Sequence, residues 1–250
     1  MTKATHRIHR FVLSLCALIL SGSAVAAGGH EGLEAANAQV GNKAMLQRGA
    51  AMYMNYCAGC HSMKYMRYSR MAADLGLTED QMMENLVPPG GKFGDTMVTG
   101  MAAEDGTVFF GKAPPDLSLV ARSRGVDWIY SYLKSFYIDP SAAVGWNNSV
   151  YPNASMPHVL AELQGIQVAR HDEGHAGEAA HPPTLELVQP GRLSPAQYNA
   201  ALRDLVSFMQ YAGEPAVLKR HAMGVWVLLY LAMFTLIAWF LKREFWKDVH

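Results

Sequence analysis

Residues 57–61 read Cys-Ala-Gly-Cys-His, and no other short run restricts the fold of this chain so much. Two thiols three positions apart, with an imidazole next in sequence, are what covalent attachment of a c-type haem requires. Each sulfur bonds one former vinyl group of the porphyrin, and the histidine can then swing beneath the ring and ligate the iron. Zinc is the other chemistry such a pair could serve. It takes four ligands, usually with a second Cys or His pair at similar spacing. The remaining cysteine is Cys16, so a thiolate-rich site cannot be completed.

The two ends speak of location. Residues 1–26 carry Lys3, Arg7 and Arg10 and no acid, then an apolar stretch over residues 11–20, then Ser-Gly-Ser-Ala-Val-Ala. A basic start, a short apolar core and a small-residue exit describe a cleavable secretory signal. The apolar core is too short to span a bilayer comfortably. Cys16 lies inside it and leaves with it; bulky Leu15 before it argues against lipid attachment. At the other end, residues 222–241 hold twenty residues without a charge, ~30 Å of helix and the thickness of a bilayer core. Trp226, Trp239 and Trp246 sit near its edges, where amphipathic rings favour the headgroup zone. Lys242, Arg243 and Lys247 after the span against Lys219 and Arg220 before it give little orientation, so the signal decides it. The expected layout is 1–26 signal peptide, 27–221 periplasmic haem domain, 222–241 transmembrane anchor and 242–250 cytoplasmic tail. The chain is then a single-pass protein of the bacterial inner membrane.

The whole chain balances 21 basic against 21 acidic residues. Removing the signal leaves 18 against 21, and removing the tail leaves 15 against 19 for the exported part. A mildly anionic domain is unsuited to nucleic acid and suits a basic protein partner.

Between the ends, helices alternate with long irregular connections. Leu46, Ala50, Tyr53, Met54 and Cys57 recur at three- and four-residue steps, an apolar helical face over residues 43–57 that runs into the haem motif. Thr78 with Gln81 forms a capping-box pattern opening a short helix toward Val87. Ser194, Pro195 and Gln197 make a stronger one. The helix they open puts Tyr198, Leu202, Leu205, Val206 and Met209 on one side, with Gly213 offering a left-handed end and Pro215 blocking continuation. A further helix is expected over residues 127–136. No alternating strand pattern stands out. Residues 88–112 are Gly-rich, and 165–192 carry Asp172, Glu173, Glu178 and Glu186 with His171, His175 and His181. Three His in an acidic loop raise a metal site, but a solvated surface insertion accounts for them. The fold class expected is mainly α: a c-type cytochrome domain with long loops, plus one C-terminal transmembrane helix.

A haem with only its proximal His61 is open to small ligands, whereas Met on the other side closes it and raises its potential. Of fifteen Met, Met63 and Met66 are too close to His61 to reach over the ring. Met156 is favoured because Pro157 stiffens the turn that would carry it. His158 competes, and would give a bis-His haem of lower potential. Ala113-Pro-Pro-Asp-Leu-Ser118 is the other distinctive block. Its paired Pro114 and Pro115 make a rigid wall without backbone donors, and Arg122 or Arg124 beyond it could meet a propionate or be solvated.

Together these residues resemble the cytochrome c1 family, the haem-bearing subunits of bacterial quinol–cytochrome c oxidoreductases. The landmarks run from the Cys57 to His61 motif through the proline block, Tyr-Pro-Asn-Ala-Ser-Met156-Pro and Gly213-Glu-Pro215 to the C-terminal anchor, and so cover the mature chain. The resemblance implies one haem c held by Cys57 and Cys60, with His61 and Met156 on the iron. It also implies Arg122 on a propionate, and Pro114 and Pro115 lining the crevice. Cytochrome b and Rieske iron–sulfur subunits are the implied companions, in a dimeric complex, and a cytochrome c the acceptor. The implied function is a one-electron relay with no catalysis by this chain alone. The rivals are another anchored c-type cytochrome serving a terminal oxidase, and a haem peroxidase with a vacant iron position.

Overall fold

The computed structural model describes residues 32–170 and 183–248. The expected signal peptide, and His171, Asp172, Glu173, His175, Glu178 and His181 of the acidic loop, lie outside the described residues.

Two helices set the frame. α1 (Lys43–Tyr56) starts at Asn42, whose side chain accepts from the Met45 amide, and leads into the Cys57 motif as expected. α8 (Pro195–Gly213) starts at Ser194 with the full capping box and Pro at its first position. All five side chains expected on its inner face are buried. Six of the larger ones on α1 and α8 (Leu46, Tyr53, Leu202, Leu205, Val206, Phe208) are fully shielded, each worth roughly 1.5–3 kcal/mol of transfer free energy. The helices cross closely at Gly49, where a Cβ would meet the Asp204 carbonyl oxygen at 2.1 Å. Arg48 reaches over that crossing to Asp204 with Nε and Nη2 at 2.5 and 3.2 Å.

Shorter elements hang on this pair. In chain order they are β1 (Met63–Arg67), α2 (Tyr68–Leu75), α3 (Glu79–Asn85), β2 (Thr96–Met97), α4 (Ala103–Phe110), α5 (Val120–Ser123), α6 (Val126–Lys134), β3 (Phe136–Ile138), β4 (Trp146–Asn148), α7 (Ala161–Gln164), β5 (Gly165–Arg170) and β6 (Thr184–Pro190). The expected capping box of Thr78 and Gln81 opens α3. α6 packs on α8, tied by the buried Tyr198 hydroxyl donating to the Leu133 carbonyl at 2.9 Å. α2 is tied to α8 by Tyr211, whose hydroxyl donates to Asp74. Met45, Met52, Met63, Met66, Met71, Met82, Met97 and Met209 are core side chains, the filling role that flexible thioethers suit.

Three expectations are corrected. Residues 165–192 are not wholly irregular, because β5 and β6 pair antiparallel at the edge of a four-stranded sheet ordered β4-β3-β5-β6. Glu186 belongs to that pairing and accepts from Arg170 Nε at 2.6 Å across the strands. β6 is exposed on nearly every residue, and its Thr184-Leu-Glu-Leu187 alternation covers four residues, the short end of a strand pattern. The Gly-rich stretch 88–112 contains β2 and α4. Gly213 is not a left-handed terminus: it lies inside α8, and the cap is Glu214 at φ −154. Its missing Cβ instead leaves room for the Arg122 stem, which a Cβ would meet at 3.3 Å.

The last element, α9 (Val217–Phe245), begins after Glu214 and Pro215 interrupt the chain. Within its segment Ala222–Phe245 an 18-residue stretch has a mean hydropathy of 2.2 and is wholly unburied by the protein, so the segment is long and apolar enough to cross a membrane. The fold is mainly α with one such C-terminal helix, as expected.

Candidate functional site

The C-terminus of α1 makes the motif. Cys57 caps the helix, its amide donating to the Tyr53 carbonyl at 2.8 Å, and the Cys60 and His61 amides both return to the Cys57 carbonyl. That tight turn gathers both thiols and the imidazole at one helix end. Tyr53, fully buried, holds the exit by donating its hydroxyl to the His61 carbonyl at 2.7 Å.

The proline block is fastened to the next few residues. The Leu117 amide donates to the Ser62 carbonyl at 2.8 Å, and the Lys64 amide donates to Asp116 Oδ2 at 3.0 Å. The Tyr65 amide donates to Ser118 Oγ, and Asp116 Oδ1 accepts from the Ser118 amide. These bonds aim one carbonyl. Pro115 O lies 2.7 Å from His61 Nδ1. A carbonyl only accepts, so Nδ1 carries the proton and Nε2 keeps its lone pair. Burial lowers the His61 pKa, with the Pro115 bond and Asp116 opposing it, so the ring stays neutral, the form that binds a metal. Burial, with Cys60 nearby, pushes the Cys57 thiol up to about 12.

Cys57, Cys60 and His61 line a cavity of about 340 Å³ together with Pro114, Pro115 and Met156. Ligand pockets of this kind run about 300–1,000 Å³ and are lined mainly by apolar side chains. Leu205 and Met209 of α8 and Ile129 and Leu133 of α6 supply further apolar wall. Six of the seven side chains expected at the site are therefore brought together. Arg122 is the exception: it is not on the wall, and Arg124 is. Arg124 lies over the Trp128 ring at 5.2 Å, and Trp128 stacks on Tyr132 at 5.0 Å and 7°.

His158, the competing ligand, also stays off the wall. It is buried, stacked on Phe136 at 5.0 Å and edge-on to Trp146. Burial lowers its pKa to about 4, with Gln164 opposing.

The Met156 loop has an organiser that sequence reading missed. Asn148 is fully buried: its Nδ2 donates to the Tyr132 carbonyl at 2.7 Å, and its Oδ1 accepts from the Val150 and Tyr151 amides. Asn147 Oδ1 accepts from the Asn153 amide, and Asn153 is left-handed at φ 61. The Asn147–Asn148 pair is a turn signal, and that signal could have marked it. Tyr151, also on the wall, opens the Tyr-Pro-Asn-Ala-Ser-Met156-Pro run, whereas Lys112 had no signal.

The donor set fits a porphyrin: two thiols for its edge, a neutral imidazole with a free lone pair, a thioether in the same cavity, and apolar walls carrying cations. The comparisons with known proteins agree. A family model described as the Cytochrome C1 family matches residues 37–249. Cytochrome c1 of Allochromatium vinosum is 45% identical over 246 residues, 97% of this chain and 100% of that protein. The ammonia monooxygenase gamma subunit of Nitrosomonas europaea is 39% identical over 98% of this chain and 100% of its own. A cytochrome b/c1 of Bradyrhizobium diazoefficiens is 25% identical over 84% of this chain and 34% of its own, longer length.

Proposed function

We propose that this chain, which belongs to the cytochrome c1 family, takes one electron from a Rieske iron–sulfur protein and hands it to a cytochrome c. Membership makes it a haem electron-transfer subunit of the bc1 complex, with a C-terminal helix that fits a membrane anchor. Donor, acceptor, residue roles and the periplasmic placement of the haem domain are our reading.

When bound, haem c supplies reversible one-electron chemistry at its iron. The rest belongs to the chain. Cys57 and Cys60 would form the thioethers. His61 would ligate through Nε2, held in register by the Pro115 carbonyl, the outer partner that a ligating imidazole usually has. Met156 would be the second side chain on the iron, with His158 kept away by stacking on Phe136 and an edge contact with Trp146. Pro114 and Pro115 would wall the crevice. The propionate role implied for Arg122 passes to Arg124, because Arg124 is the arginine on the wall. The neighbours we assign are cytochrome b and the Rieske subunit, in a dimeric complex in the bacterial inner membrane.

The contact that carries this reading is His61 Nδ1 to Pro115 O at 2.7 Å, which leaves a ligating nitrogen free in a cavity shared with both thiols and Met156. The mass of the purified mature chain tests it: an excess of one haem is expected, and a mass equal to the polypeptide refutes it. Co-isolation with a b-type cytochrome and a Rieske protein separates this reading from a cytochrome serving a terminal oxidase. Ready binding of carbon monoxide by the reduced native protein would instead favour a peroxidase.

A further inference from the structure

We propose that Lys112 is a second anion-binding side chain of the cavity, so that Lys112 and Arg124 offer one cation to each of the two carboxylates a porphyrin brings. This rests on the haem reading above. Among the described residues Lys112 and Arg124 carry the formal charges on the cavity wall, both positive, and no described Asp or Glu lines it. Neither joins an ion pair among the described residues. Each is held by an aromatic face instead: Lys112 Nζ lies 6.0 Å from the Tyr151 ring and Arg124 5.2 Å from Trp128. Those two rings meet edge to face at 6.2 Å, so both cations rest on one aromatic cluster.

A ring face positions a cation without cancelling its charge, unlike a carboxylate. Both side chains are exposed and lack a carboxylate partner among the described residues, so they leave positive charge beside an otherwise apolar cavity. A ligand with an apolar body and two anionic arms matches that pattern. The two side chains suit different tasks: Arg124 presents a planar fork, while Lys112 is a point charge on a flexible stem that can follow a carboxylate.

Redox titration of the full-length, haem-loaded protein in detergent tests this, comparing wild type with Lys112→Gln, Lys112→Met and Lys112→Arg. Losing a positive charge beside the porphyrin disfavours the reduced, less positive form. At a fixed applied potential the Gln and Met variants should shift the ferric-to-ferrous ratio about three- to tenfold toward ferric, while Arg stays close to wild type. Haem mass and absorption spectrum should match across all four. Equal ratios in wild type and both neutral variants overturn the proposal. So does an effect confined to the salt-dependent rate of electron delivery to a soluble acceptor, which would make Lys112 a docking cation. Failure of the haem reading looks different, as a wild-type chain without covalent haem.

Discussion

Gly49 and Asp204 mark the closest approach of α1 and α8: a Cβ at position 49 would stand 2.1 Å from the Asp204 carbonyl oxygen and 2.7 Å from Phe208 Cβ. Neither atom is the end of a flexible side chain, so the helices must part to admit a methyl group. The same helices carry Cys57 at one end and the Leu205 and Met209 wall of the cavity, which makes the crossing a determinant of the site as well as of the core.

Gly49→Ala should therefore cost about 1–3 kcal/mol, the usual range for overpacking. Denaturant unfolding of the haem-loaded protein measures it. Wild-type stability would show that the crossing relaxes freely.

Met156→Leu should lower the midpoint potential by ~hundreds of millivolts, on the scale over which axial ligands tune haem, and remove the iron–thioether absorption band. His158→Phe, which can keep the stacking on Phe136, should leave midpoint and band in place. If the two variants exchange these outcomes, His158 is the ligand.

Arg124→Gln should lower the midpoint potential and weaken haem retention once both thioethers are removed by Cys57→Ala and Cys60→Ala, whereas Arg122→Gln should leave both unchanged. The contrast follows from Arg124 lying on the cavity wall and the Arg122 stem lying against Gly213. Equal effects would return the propionate role to Arg122.

Asp116 gives a pH dependence. Burial acts to raise its pKa, but hydrogen bonds from Ser118 and the Lys64 amide outweigh that and hold it below the ordinary carboxylate value. A depressed folded pKa favours folding above the unfolded value of about 4 and loses that contribution as pH falls through the folded value. The Tm gap between wild type and Asp116→Asn should thus be positive near pH 6 and close below about pH 4. A gap independent of pH would show that the bonds to Asp116 do not depend on its charge.

Much of this protein was legible before folding because it is written locally. The Cys57 to His61 run, the capping boxes at Thr78 and Ser194, the inner face of α8 and the apolar C-terminal stretch each depend on spacing within a few turns. Local spacing is what residue order encodes directly, through the 3.6-residue period and the unpaired amides at helix starts. The strands β5 and β6 were illegible for a matching reason: they are held by backbone pairing, and β6 has no buried face to extend its short alternation.

Tertiary structure alone decided which of several equivalent residues meet. Met156 and His158 are two positions apart, as are Arg122 and Arg124; Pro157 favours Met156 in the sequence, but residue order does not show which of each pair reaches the cavity wall. The choice falls to stacking on Phe136, to the room left by Gly213 and to the turn that Asn148 ties to α6. Likewise Pro115 and His61 are 54 positions apart, and only the bonds from Ser62, Lys64 and Tyr65 to the proline block bring that carbonyl onto the imidazole. Contacts of that range depend on how the helices pack, because each partner's position is set by the elements around it and not by its neighbours in sequence.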